Sequence, residues 1–338
     1  MQNPYNVTGF WSFFLVLLQR LIQLPTLIQT PANLASDEIQ LIVLMTLGIS
    51  CGALGVLLVW RRMTMLANSL SHTILLGIAA VFLLVKYGWV AGDAELGALP
   101  SVTLLIASAV TGLATAMLTQ TITKVFRLPE ETSTGLVFTS LFALGIVIIT
   151  IFSRNAHVGL EVVMGNVDGL SLGDVYMSLY VLGCNLILLP LLHRPYLVTS
   201  FDGSYAQLLG FRTSLYGHLL MLQTAITVVA GFRAVGVLMV LCFITGPAIV
   251  ARPFCRSLRS MLLSSAAIGA LCSLLAVASS RAILTNFGVP LATGPIAVAW
   301  MVMLVLASLF VRVRTKNCTV YPIASQSHDY CKGSESNN

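Results

Sequence analysis

MTMLANSLSHTILLGIAAVFLLV, residues 63–85, contains no Asp, Glu, Lys or Arg and directly follows the basic pair Arg61–Arg62. Its 23 residues form a rod long enough to cross a hydrocarbon core of about 30 Å, at about 1.5 Å per residue. Asn68 and His72 lie one helical turn apart within it. A histidine and an amide at that depth are costly to bury and mark a functional position.

The pattern repeats on both sides. Between positions 39 and 311 there are nine stretches of at least 18 residues free of Asp, Glu, Lys and Arg: 39–60, 63–85, 96–123, 132–153, 175–192, 213–232, 234–251, 260–280 and 282–311. Charged residues are 9% of the chain and apolar residues 57%. A water-soluble fold of this composition would have almost no polar surface, so the chain reads as an all-α polytopic membrane protein. Alternating strands of barrel type are absent, and in lipid only helices or closed barrels satisfy their own backbone.

Basic residues set the topology. Arg61 and Arg62, Lys124 and Arg127, Arg194 and Arg212, the group Arg252, Arg256 and Arg259, and the group Arg312, Arg314 and Lys316 fall in alternate connections, which the positive-inside rule places in the cytoplasm. The other connections carry Asp93, Glu95, Glu161, Asp168 and Asp174, with Arg154, Arg233 and Arg281 as isolated cations. Glu161 and Asp168 would therefore stand at the outer mouth, where acidic groups attract cations. The stretch 234–251 is separated from its predecessor by Arg233 alone, and a partly spanning helix is the alternative there.

Residues 1–38 form an N-terminal extension, 39–311 the membrane domain and 312–338 a polar cytoplasmic tail. Within the extension, Arg20 and Pro25 interrupt the apolar run at 10–29, and Ser12, Gln19 and Gln23 gather near one face. That pattern suits an amphipathic helix in the interface better than a tenth span. A cleaved signal peptide is disfavoured, because no basic segment precedes the apolar run.

Several functions are excluded. The net charge of +6 is spread over alternate connections rather than gathered into a patch, which argues against nucleic acid. No Gly-Lys pair occurs, so the chain has no phosphate-cradling loop of its own, and energy for uphill transport must come from a partner or an ion gradient. The spans hold no paired carboxylates to support a membrane enzyme or an ion-coupled secondary transporter. Cys51, Cys184, Cys242 and Cys272 lie in apolar spans as small hydrophobes; Cys255, Cys318 and Cys331 show no CxxC spacing. Gly48, Gly52 and Gly55, with Ser50 and Ala53, are a small-residue cluster suited to close helix packing.

The segment RRMTMLANSLSHTILLGIA at 61–79 resembles the second-helix signature of the ABC-3 permeases, the membrane subunits of zinc, manganese and iron ABC importers. LPEETSTGLVFTSLFALG at 128–145, MGNVDGLSLGD at 164–174, FDGSYAQLLGF at 201–211, AVGVLMVLCFITGPAIVAR at 234–252 and VPLATGP at 289–295 resemble further family segments, in order and with family-like spacing. The resemblance implies the cobalamin-importer-like permease fold, with about eight or nine transmembrane helices, one of them short or broken. It also implies an ABC importer permease in the bacterial inner membrane, its C-terminus cytoplasmic. A second permease, a cytoplasmic ATPase dimer and a periplasmic or lipid-anchored metal-binding protein would be its partners. The chain itself would be a transport subunit and not an enzyme, with no stably bound cofactor and a zinc, manganese or iron ion as cargo. A haem, siderophore or cobalamin permease of the same fold, or an ion-coupled secondary transporter, is the alternative.

His72 can supply an imidazole nitrogen, which suits all three metals, and position 68 shares its helix face. The family has Asp where this chain has Asn68, so only a carbonyl oxygen is offered. Three readings follow: a partner permease supplies the carboxylate, the site is a weak waypoint that releases its ion readily, or Asn68 and His72 bond each other and join two helices. His218 is expected near the cytoplasmic interface as a hydrogen-bonded or snorkelling side chain. The resemblance places ATPase coupling at Arg252, Phe254, Arg256 and Arg259, on a short helix opened by Pro253, with Phe201 and Asp202 as a second contact.

Overall fold

Asp37 and Glu38 place negative charge at the start of the first helix, α1 (Ser36–Trp60), where the helix dipole favours it. Glu38 also accepts from the Ala35 backbone N–H at 3.0 Å. The computed structural model describes residues 16, 35–61, 63–65, 69, 73, 76–77, 79–80, 83, 101–153, 167–201, 203–255, 257–289 and 291–314. These include nine further helices: α2 (Ser101–Phe126), α3 (Glu130–Ser153), α4 (Leu172–Leu191), α5 (His193–Phe201), α6 (Gly203–Leu208), α7 (Thr213–Val235), α8 (Val237–Ala251), α9 (Leu258–Phe287) and α10 (Thr293–Arg314). A single 3-10 turn, Val167–Gly169, precedes α4.

α1 runs through the middle of the bundle, against α9, α8, α4 and α7. Its glycines decide how close they come. A Cβ on Gly48 would lie 2.8 Å from the Gly269 carbonyl oxygen and one on Gly52 2.8 Å from that of Ser265, while one on Gly55 would overlap the Ile244 carbonyl. Hydroxyls complete the α1–α9 contact: Ser265 donates to the Gly52 carbonyl at 2.7 Å and Ser273 to that of Leu44 at 2.9 Å. Around this contact pack Leu44, Leu47, Phe243 and Ile244, all buried. Outward-facing positions on α2, α3 and α10 are apolar, among them Val110, Met117, Ile151, Val302 and Phe310, which suits contact with lipid chains.

Two chain reversals fall at glycines instead of at the isolated arginines. α7 continues through position 233 to Val235, and the break is Gly236, with φ 87°. There the chain folds back as a hairpin, with a Cβ on Gly231 meeting Val240 Cγ2 at 2.7 Å. α8 has 15 residues, which at about 1.5 Å each is too short to cross the core, as the partly spanning alternative for 234–251 supposed. Arg281 does not separate two spans either. It sits inside the 30-residue α9, and the chain turns at Gly288, with φ 66° in the left-handed region. The reason is pairing: Arg281 Nε meets Asp37 Oδ2 at 3.1 Å, so its charge is neutralised without leaving the helix. Among the described residues, five helices are long and apolar enough to cross a membrane: Ser36–Trp60, Leu172–Leu191, Leu215–Phe232, Leu258–Asn286 and Thr293–Val311.

Candidate functional site

At the basic end of the bundle, the short helix α5 lies across the ends of the long ones. Pro195 is accommodated in its first turn, where no intrahelical N–H bond is lost. One face of α5 is tied to three neighbours. His193 Nε2 accepts from Arg259 Nε at 3.2 Å, at the start of α9. Tyr196, 1% exposed, donates its hydroxyl to Gln223 Oε1 of α7 at 3.2 Å. Arg61, just beyond α1, donates to Ser200 Oγ at 2.9 Å and to Thr199 Oγ1. Burial, and secondarily the Arg259 charge, holds the His193 pKa below its usual value, in keeping with an imidazole nitrogen that must accept. Burial pushes the Tyr196 hydroxyl up to about 12, against the lowering effect of Arg61, so it stays a donor.

A polar chain continues inward from Tyr196. Gln223 Nε2 donates to Asn185 Oδ1 of α4 at 2.9 Å, and Asn185 Nδ2 donates to Thr227 Oγ1 of α7 at 2.9 Å. Thr227 donates in turn to the Gln223 carbonyl at 2.9 Å. Sequence reasoning did not single out these residues. The signal was there: Asn185 is the lone amide side chain of 175–192 and Gln223 that of 213–232.

The short helix expected at Arg252–Arg259 does not form. Arg252–Phe254 is a turn, and α9 begins only at Leu258, with Ser257 Oγ accepting from the Ser260 N–H at 3.3 Å. Pro253 thus ends α8 rather than opening a helix, consistent with the lost N–H of proline. The short helices are α5 and α6, between α4 and α7. Arg252 and Phe254 are exposed in the turn after α8, and Arg259 bridges the two connections through His193. Phe201 ends α5, whereas Asp202 and Arg256 lie outside the described residues. Tyr205, Leu208 and Leu209 add exposed apolar surface, Leu208 being 86% exposed.

At the opposite end a polar cavity of about 410 Å³ opens between α1, α9 and the start of α10. Asp168 is its hub: Oδ1 accepts from Thr293 Oγ1 at 2.8 Å and Gln40 Nε2 at 3.4 Å. The Asp37–Arg281 pair forms another wall. Glu161 lies outside the described residues, and Asp174 caps α4 by accepting from the Ser171 N–H at 3.0 Å.

His72 and Asn68 also lie outside the described residues. Their neighbours Ser69 and Thr73 are helical and buried, and Ser69 Oγ has no hydrogen-bond partner among the described residues. His218 is half-buried near the start of α7. Among the described residues, no group of three His, Cys, Asp or Glu side chains could hold a metal ion. Gly48-Ile-Ser50-Cys-Gly52 has the G-x-S-x-G spacing of a hydrolase nucleophile elbow. It lies in the middle of α1 instead of at a strand-to-helix turn, so it presents no nucleophile.

A bundle of apolar helices around a helix packed by glycine, with two short helices at its basic end, defines a polytopic membrane protein. The model of the ABC 3 transport family matches residues 38–312, and the chain belongs to that family. A Chlamydia trachomatis serovar D protein, named a probable metal transport system membrane protein, is 36% identical over 91% of this chain and 93% of its own length. The manganese transport system membrane protein MntD of Bacillus subtilis is 33% identical over 66% of this chain and 76% of its own. Among solved structures, PsaBC from Streptococcus pneumoniae in complex with Fab superposes with a TM-score of 0.68 at 25% identity, covering 85% of this chain and 96% of that one.

Proposed function

We propose that this chain is the membrane permease of an ATP-binding-cassette importer for a divalent transition metal ion, manganese, iron or zinc. The observation that carries it is the family match over residues 38–312, together with relatives named as manganese and metal transport membrane proteins. A Yersinia pestis relative, 27% identical over 73% of this chain, is named a chelated iron transport system membrane protein.

The two ends of the bundle suit this role. The positive-inside rule puts the end with Arg61, Arg252 and Arg259 in the cytoplasm of a bacterial inner membrane, and the C-terminus with it. There α5, α6 and the turn at Arg252–Phe254 offer one surface of exposed apolar and basic side chains for a separate ATPase. Phe254, Leu208 and Tyr205 supply apolar anchors, Arg252 and Arg259 supply charge, and Arg256, Phe201 and Asp202 adjoin them in sequence. The cavity around Asp168, with Glu161 nearby in sequence, would face a metal-binding protein on the outside. His72 and Asn68, on the charge-free stretch 63–85, are the waypoint for the ion. Asn68 favours pairing with a second, different permease that keeps a carboxylate there. ATP hydrolysis by the partner would drive alternating access by biasing a two-state bundle.

The test is metal uptake by a His72→Ala variant at matched protein level in the membrane. Loss of uptake with ATPase assembly intact supports the waypoint, and unchanged uptake removes it.

A further inference from the structure

We propose that the buried chain Tyr196–Gln223–Asn185 is a tether that makes α5, α7 and α4 move as one body when ATP drives transport; this rests on the functional reading above. These are positioning residues that act through helices rather than on the ion.

Burial is the first ground. Tyr196 is 1% exposed, Asn185 3%, Gln223 4% and Thr227 1%. Such polar groups persist in an apolar bundle only when paired. The second ground is pairing, since every polar side-chain atom of the two amides has a partner: the Asn185 oxygen takes the Gln223 amide, its nitrogen serves Thr227, and the Gln223 oxygen takes the Tyr196 hydroxyl. A hydrogen-bonded chain of this kind resists partial opening, because any one break strands an amide in a dry interior.

The third ground is placement. α5 is tied through His193, Tyr196, Thr199 and Ser200, which fall on one helical face. The other three ties are made by half-buried side chains of α5. Tyr196 alone leads from α5 into the bundle interior. Tyr196 also packs in one apolar cluster with Leu220 of α7, and Leu192 alone separates α4 from α5, so the hydroxyl adds a directional bond to joints already made by packing and by the chain itself.

Reconstituted transporter, with its ATPase and binding protein, tests the tether through metal accumulated per ATP hydrolysed. Tyr196→Phe removes only that hydroxyl, and Gln223→Met removes the relay while keeping its length. The tether predicts ATP hydrolysis close to wild type with metal per ATP down about fivefold or more, within the usual range of coupling effects. An unchanged ratio in both variants overturns it, as does a Tyr196→Phe chain that fails to assemble, which would make the contact one of folding only.

A second readout needs no cargo. Spin labels at the exposed positions Arg194 of α5 and Leu215 of α7 should keep one separation with and without ATP plus vanadate in the wild type. In Tyr196→Phe the separation should become nucleotide-dependent. A nucleotide-dependent separation already in the wild type overturns the tether. If the wild-type assembly hydrolyses ATP without moving any metal, the functional reading fails, and the label distances alone decide the tether.

Discussion

The contact between α1 and α9 and the contact between α4 and α7 join membrane helices by opposite means. In the first, Gly48 and Gly269 bring backbones together, and serine hydroxyls reach the facing carbonyls. In the second, two amides and a threonine hydroxyl bridge the helices through side chains. A lipid-embedded bundle gains nothing from moving Leu out of lipid and against another Leu, so it must use close packing or hydrogen bonds. Close packing gives a contact that cannot shift without a clash. Side-chain bridging gives one that ties two helices through paired polar groups, so that they travel as a unit. The first suits a fixed axis, the second a moving part.

The largest expected effect comes from breaking the packed side. Gly55→Ala drives a methyl into the Ile244 backbone, which cannot swing away as a flexible side chain can. It should lower stability by about 3 kcal/mol, the upper part of the range for overpacking, seen as a large drop in the melting temperature of the purified protein. Gly183→Ala on α4 is the control. A Cβ there meets nothing within 4 Å, so stability should hold or rise by less than about 1 kcal/mol. Equal losses at the two positions would erase the distinction.

On the bridged side, Asn185→Leu and Gln223→Met should each cost about 1–2 kcal/mol by stranding the other amide. The double variant leaves neither amide unpaired and should cost less than the sum. A thermodynamic cycle from the four melting curves checks this, and strict additivity would mean the two amides do not act together.

The smallest effect concerns the rim. His193 accepts from Arg259 only when neutral, and its pKa is held down in the folded protein by burial and then by Arg259. A lowered folded value means that the folded state binds fewer protons. Its contribution is therefore present above the unfolded histidine value of about 6.5 and is lost as the pH falls from there through the folded value. His193→Gln should flatten the stability profile between about pH 7 and pH 5. An identical slope in both proteins would remove the contact from the account.

The membrane fold was legible because lipid leaves the sequence little choice: long charge-free runs and alternating basic connections report it directly. Reversals were harder. Arg233 and Arg281 looked like boundaries, yet a paired charge can stay inside a helix, as Arg281 does with Asp37. Gly236 and Gly288 carried the stronger signal, since a positive φ there ends a helix cheaply. The family resemblance placed a short helix over 252–259, with Pro253 in its first turn, but a proline suits the stop of one helix as well as the start of another. The Asn185–Gln223 bridge went unread because each amide alone looks like a tolerated polar residue. Their meeting is a long-range fact that only the folded bundle supplies.

The central claim is most directly tested by ATP-driven accumulation of manganese, iron and zinc in proteoliposomes. These would hold this chain, its ATPase and its binding protein, with and without a second permease. The account predicts accumulation of one of these metals, dependent on ATP and stronger when a partner permease supplies a carboxylate opposite Asn68. No metal uptake in any combination, with cobalamin or haem carried instead, would contradict it.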